Sequence, residues 1–300
     1  MKQTTLFIIL AAILLPACGP VNLDRPIPAY DTGVNPDDWV TIPSGEFLSG
    51  QFNEPITIDY DYDIMVTDVT VAQYADYLNS ALADGTIKVD GDQIVGHYPG
   101  DEFHGVRHEV EIAEADYIFV PLDDPASHFS FSGGLFTAKT GYENHPMSNV
   151  SWFGAWGYCG YNNYRLPNEL EWEKAARGSD GRPFPWGEDI ARNNANFYSS
   201  RDPFEDMSNV GSRSSPAGFY NGLTYDGYAT ADSSSPYGLY DMAGNVWQWT
   251  SDVYEGQHYR YLRGGSKDTY DMDLRIWVRN NATPTYYSPD VGFRCARGGE

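Results

Sequence analysis

The residues best placed to do chemistry lie together in LRGGSKDTYDMDLRIWVRNN, Leu262 to Asn281. Behind a Gly-Gly-Ser turn, Asp268, Asp271 and Asp273 stand close to Arg275 and Arg279, while Tyr270 and Trp277 supply aromatic surface. Paired carboxylates can do acid–base work when their surroundings separate their pKa values. The same polar and aromatic types serve recognition equally well. The stretch holds no Cys, no His and no nucleophile set beside a base. A second cluster, FHGVRHEVEIAEAD, places His104 and His108 four apart with Glu109, Glu111 and Glu114 nearby. On a helix that spacing puts both imidazoles on one face, as metal sites use. Gly105 and the strand-like surroundings argue against a helix, and surface or hydrogen-bonded histidines are the simpler reading. His145 and His258 read as structural.

The elements that must position these residues are few. Thr70-Val71-Ala72-Gln73 is a capping box that opens a helix with Tyr74, Leu78 and Leu82 on one face. Asn168-Glu169-Leu170-Glu171 is a second box, opening ELEWEKAAR, with Gly178 as a left-handed stop. Ser151 caps a third candidate helix, WFGAWGYCGY, which Gly154, Gly157 and Gly160 weaken. From Gly85 to Gly141 the chain reads as strands and hairpins, with IKVDGDQIVGHYP turning at Asp90–Asp92. The remainder is turn and loop. With aromatics at 15%, 30 Gly and 19 Pro, the composition fits a loop-rich domain whose irregular segments pack on scattered rings.

The N-terminus reads differently. MKQTTLFIILAAILLPAC has an early cation, Lys2, then an apolar run from Leu6 to Leu15 that is short for a membrane span. Residues 1–17 read as a lipoprotein signal peptide, with Cys18 as the lipidated residue. Residues 18–38 read as the lipidated Cys and a flexible Pro-, Asp- and Gly-rich tether, and 39–300 as the folded domain. The protein is then exported and held at the bacterial envelope by acyl chains, facing the periplasm or the surface. Asp and Glu number 42 against 19 Lys and Arg, a formal charge of −23. A surface that acidic repels nucleic acid and anionic headgroups. Cys159 and Cys295 remain, an even pair in an oxidising compartment that forms a long-range bridge or stays as two buried thiols.

WVTIPSGEFLSG, DVTVAQYADYLN, NHPMSNVSW, RLPNELEWEKAARG, FPWGE, YGLYDMAGNVWQWTSD, LRGGS and VGFRCAR together resemble the formylglycine-generating enzyme, or sulfatase-modifying factor, family, in the same order and from Trp39 to Arg297. The resemblance implies a single α+β domain with little regular secondary structure, related to C-type lectins. It implies a disulfide between Cys159 and Cys295. It also implies two structural calcium sites. One takes the Asp241 side chain, the Gly244 and Val246 carbonyls and the Gln248 side chain; the other takes Asn196, the Phe197 carbonyl, Asp226 and the Tyr228 carbonyl. Mixed side-chain and carbonyl oxygens suit a hard cation. In catalytic members the third and eighth positions beyond the Ser are cysteines that hold copper. Here they are Thr269 and Leu274, which offer Cu(I) no thiolate, so copper is not expected.

These readings converge on an envelope component that binds a protein or surface ligand over a cleft. The cleft comprises Ser266, Asp268, Thr269, Tyr270, Asp273, Arg275, Trp277 and Arg279, with Trp247 and Trp249 as neighbours. Tyr270 and Trp277 are expected to contact the ligand without supporting the fold. The alternatives are an oxygen-dependent metalloenzyme using non-cysteine residues, and retained formylglycine formation.

Overall fold

Capping chemistry sets the helices that carry the core. In the computed structural model, which describes residues 27–107, 109–205, 213–254 and 258–299, helix α1 (Val71–Asp84) starts at a reciprocal pair. The Gln73 N–H donates to the Thr70 hydroxyl at 3.3 Å and the Thr70 N–H donates to Gln73 Oε1 at 2.9 Å. Tyr74 and Leu78 are fully buried, Leu82 packs at the core's edge, and Gly85 ends the helix in the left-handed conformation. Helix α2 (Trp152–Tyr161) starts at Ser151, whose hydroxyl accepts the Gly154 N–H at 3.1 Å. Its glycines lower helix propensity but permit a close approach. A Cβ on Gly154 would lie 2.7 Å from the Phe119 carbonyl oxygen, and one on Gly157 2.5 Å from the Phe119 ring. Packing of α2 on strand Ala115–Pro121 therefore outweighs propensity.

Helix α3 (Glu169–Arg177) carries the second box, with Glu171 N–H on Asn168 Oδ1 at 2.8 Å and Asn168 N–H on Glu171 Oε2 at 2.9 Å. Its end corrects one expectation. Gly178 has φ 72° and ψ −142°, a region open to glycine rather than a left-handed helical cap. Pro236 explains the choice, since a Cβ on Gly178 would sit 2.8 Å from its ring.

The strands form small sheets. Trp39–Ile42 and Ala296–Gly298 both run antiparallel to Tyr62–Met65, so chain positions near either end share one partner. Ile87–Asp90 and Gln93–Tyr98 form the hairpin read from the sequence, extended by Ala115–Pro121. A four-stranded sheet, ordered Arg279–Ala282, Tyr259–Arg263, Trp247–Tyr254, Val291–Gly292, presents the Gly-Gly-Ser loop. Cys159 and Cys295 are bonded, with Cα atoms 5.8 Å apart across a sequence separation of 136. In the chain-entropy view such a closure restricts the unfolded chain by roughly 4–5 kcal/mol. The architecture is loop-rich α+β, and no helix among the described residues is long and apolar enough to cross a membrane.

Packing starts earlier than the tether reading placed it. Tyr30 meets Phe219 and Tyr225 at ring distances of 5.7 and 5.2 Å, and the Thr32 hydroxyl donates to the Ala217 carbonyl at 3.0 Å. Residues 27–38 therefore lie against the domain, while the leader and Cys18 fall outside the described residues. Around the described part of the histidine cluster, His258 forms a clamp between two carboxylates. His258 Nδ1 lies 2.8 Å from Asp101 and its Nε2 3.0 Å from Glu109, which also meets the His104 ring at 3.2 Å. Burial acts to lower the His258 pKa, but the two carboxylates outweigh it and raise it. His108 lies outside the described residues.

Glu169, Glu173 and Arg177 recur every fourth residue on α3, and this charged face points inward. Arg263, fully buried, donates to Glu169 at 2.9 Å, to Glu173 at 3.0 Å and to the Ile276 carbonyl at 2.6 Å. Arg177 donates to Glu173 at 3.0 Å and to the carbonyls of Leu48, Gly50, Gly181 and Arg182. Removing one partner strands the others in a poor dielectric. Arg263→Met is therefore expected to cost about 3–5 kcal/mol in urea unfolding; a loss below about 1 kcal/mol, the level of exposed pairs, would show that the network is not structural.

Candidate functional site

The loop that follows strand Tyr259–Arg263 turns through Gly264 and Gly265, both at positive φ. A Cβ on Gly265 would lie 2.8 Å from Leu274 Cδ1 and 3.2 Å from Thr269 Oγ1, so the two side chains converge on one glycine. Thr269 Oγ1 accepts the Ser266 N–H at 2.9 Å and donates to the Ser266 carbonyl at 3.0 Å. Leu274 is fully buried among Phe184, Ala195, Phe197 and Ala243. Where the resemblance places a thiolate pair, the structure has a hydroxyl that closes a turn and an alkyl group that fills the core. Neither presents a soft donor.

The aspartates do not oppose one another as an acid–base pair. Asp273 accepts the Tyr270 N–H at 3.3 Å and caps the 3-10 turn Asp271–Leu274. Asp271 accepts the Met272 N–H at 2.9 Å, and Asp268 pairs with Lys267. Arg275 is exposed, and Ser266 is buried with its hydroxyl 3.4 Å from Asp290. Arg279 turns to Glu169 at 3.1 Å and lies over the Tyr261 ring. Trp277 is half-buried, with the Arg177 guanidinium 5.4 Å from its ring. Trp247 and Trp249 are buried, Trp249 donating to the Val150 carbonyl at 3.1 Å, so they are core residues and not ligand neighbours. Three large apolar side chains are open to solvent here, Tyr270 at 59%, Met272 at 57% and Tyr198 at 47% exposure, among the exposed Asp268, Asp271, Arg275 and Arg279. Tyr198 and Tyr270 meet edge to face at 5.0 Å, and the Tyr198 N–H donates to the Thr269 carbonyl at 2.9 Å. Tyr198 had no part in the sequence reading, because only the fold brings it to this loop.

In the first predicted calcium set, Gln248 contacts a side-chain cation, Arg294. Gln248 Oε1 accepts from the Trp172 indole at 2.7 Å and from Arg294 Nε at 2.8 Å, while its Nε2 donates to the Asp241 carbonyl at 2.7 Å. Both lone pairs of that oxygen are taken, so in this arrangement Gln248 offers nothing to a metal. Burial pushes the Asp241 carboxyl up to about 6, against the Gly218 N–H and the Arg294 charge. Gly244 and Val246 lie in the buried turn between them. In the second set Asp226 is exposed and accepts from the Tyr30 hydroxyl at 3.2 Å. Asn196 is buried and donates to the Arg213 carbonyl at 2.8 Å. The Phe197 carbonyl accepts the Ser200 N–H at 2.9 Å, and the Tyr228 hydroxyl donates to the Arg192 carbonyl at 3.1 Å. Among the described residues, no three His, Cys, Asp or Glu side chains gather as a metal-binding group.

The strands, caps and glycine turn define a sulfatase-modifying-factor scaffold whose thiol positions hold other groups. The chain belongs to the family of the sulfatase-modifying factor enzyme 1-like domain, which matches residues 27–298. It is 38% identical over 162 residues to the mouse inactive C-alpha-formylglycine-generating enzyme 2, covering 50% of this chain and 48% of that protein. It is 30% identical over 303 residues to the formylglycine-generating enzyme of Streptomyces coelicolor, covering 86% and 88%. The chain thus spans about half the length of the first of these relatives and most of the second. Among solved structures it is similar in fold to PvdO from Pseudomonas aeruginosa, with a TM-score of 0.54, 21% identity and coverage of 86% and 93%.

Two outcomes test the geometry. Tyr270→Ala is expected to leave stability within about 0.5 kcal/mol of wild type, whereas Trp277→Ala, which uncovers Arg177, should cost about 2 kcal/mol. Equal effects in thermal unfolding would show that the surface is misassigned. Chelation by EDTA is expected to leave the melting temperature unchanged, since Arg294 already supplies the positive charge beside Gln248. A fall of several degrees, reversed by added calcium, would overturn that account.

Proposed function

We propose that this chain is a binding member of the family, without copper-dependent formylglycine formation. In this reading it is an exported protein, lipid-anchored through Cys18, that presents the Ser266–Arg279 surface to an envelope protein or a surface ligand. One observation carries the loss of that chemistry: Thr269 and Leu274 occupy the thiol positions, and each is committed to the fold. No other thiol can replace them, because the chain has three cysteines and two of them form the disulfide. The third, Cys18, lies in the leader region. Support for recognition comes from the paired rings of Tyr198 and Tyr270 beside Met272, since a rimmed apolar patch is a common feature of docking sites. Export and anchoring rest on the leader sequence, and the acidic balance disfavours nucleic acid as a partner.

The test is metal uptake and turnover together. Wild-type protein offered Cu(I) against a competing chelator, then a sulfatase-motif thiol peptide and oxygen, should retain no stoichiometric copper and form no aldehyde. Thr269→Cys/Leu274→Cys should bind about one equivalent of Cu(I), because two side chains that converge on Gly265 then carry soft donors. Aldehyde formation by the wild type would refute the assignment.

A further inference from the structure

An acidic chain has few cations to place, and four nitrogen-bearing side chains of this one line a single cavity of about 330 Å³ beside the Gly-Gly-Ser loop. Its walls include His128, Lys139, Arg213 and Lys267, with Tyr142 and Ser214; among the described residues Asp268 is the one carboxylate in its lining. Lys267 is only 5% exposed. An ammonium has three N–H donors. Lys267 gives one to Asp268, and Lys139 gives one to the Ser127 carbonyl at 2.5 Å. Neither has a further protein partner among the described residues.

The wall behind is polar and incompletely paired. The His128 ring stacks on Tyr142 at 4.0 Å, and its Nδ1 is buried without a protein partner among the described residues. His145, 1% exposed, lies 5.0 Å from the Tyr142 ring with Nδ1 3.0 Å from the Ser214 hydroxyl, and its Nε2 is likewise unpartnered. Buried polar atoms are rarely left so. Burial first, then the charges of Lys139, Lys267 and Arg213, hold the His128 pKa down at about 3. The ring is therefore neutral.

We propose that this cavity binds a small oxyanion-bearing ligand: a carboxylate, sulfate or phosphate group. Ammonium groups recognise such groups as point charges, and neutral imidazoles beside them can donate or accept as the ligand requires. The volume lies at the small end of ligand sites. A long polyanion is disfavoured, because the chain as a whole carries a formal charge of −23, which a small ion meets over a much smaller area. Asp268 at the rim is an internal competitor: it holds Lys267 until the ligand takes its place. The cavity shares Lys267 and Asp268 with the Ser266–Arg279 surface but not Tyr270, and its affinity for a small oxyanion is measured without any partner present.

Calorimetric titration of the purified protein with sulfate, phosphate and citrate, each against chloride at matched ionic strength, tests the assignment. At least one oxyanion should bind saturably, and the arm that does so identifies the group. Lys139→Met and Lys267→Met should each weaken it by about tenfold or more, as expected for loss of a charged hydrogen bond. Asp268→Asn, an exposed change that preserves the fold, should tighten it. No saturation beyond chloride, or binding that Asp268→Asn leaves unaltered or weakens, overturns the proposal even if a lysine variant fails to fold.

Discussion

Buried guanidinium groups are the constraint on which this fold depends. Arg177, Arg263 and Arg294 are all fully buried, and a charge in a poor dielectric must be matched by partners fixed in place. Arg177 draws the loops around Leu48, Gly50 and Gly181 onto α3; Arg263 joins α3 to the strand that launches the Gly-Gly-Ser loop. Arg294 collects the carbonyls of Met65, Val66 and Tyr240 together with Gln248. In a domain with little regular secondary structure, these forks do much of what sheet ladders do elsewhere. Each guanidinium offers five directed donors, and loop carbonyls otherwise lack partners.

That frame explains how the two thiol positions can change while the loop keeps its shape. The Gly265 turn is held from below by Arg263 and α3, and from the side by the buried Leu274. Replacing thiols at positions 269 and 274 with a hydroxyl and an alkyl group removes the metal donors without loosening the loop. Thr269 closes the turn by hydrogen bonds, and Leu274 adds apolar packing. The exposed rings of Tyr198 and Tyr270 then sit on a rigid support, which suits recognition because little ordering remains to be done on binding.

Acidic residues outnumber basic ones along the chain, yet several cations are buried: Arg177 and Arg263 at α3, Arg294 at the Gln248 turn, and Lys267 in the cavity whose rim the exposed Lys139 also lines. Such a distribution repels polyanions at long range and leaves recessed positive sites for small ones.

Local chemistry was legible in the sequence. Thr70 with Gln73, Asn168 with Glu171, and Ser151 before WFGAWGYCGY each satisfy backbone groups within a few residues, so their helices could be read without the fold. The Asp90–Asp92 turn was legible for the same reason, and the absence of sulfur at Thr269 and Leu274 was plain from residue type. The rest was decided by contacts between distant segments. That Glu169, Glu173 and Arg177 face inward depends on Arg263, almost a hundred residues away. That Gln248 meets Arg294 instead of offering a free oxygen depends on the pairing of strand Trp247–Tyr254 with Val291–Gly292, which brings the segment after it alongside. Trp249 became core, Tyr198 came to the cleft, and His128 reached Lys267 only through packing. Sequence alone determined what each position can do chemically; tertiary structure decided which partners are within reach, because hydrogen bonds and charges act over a few ångströms whatever the distance along the chain.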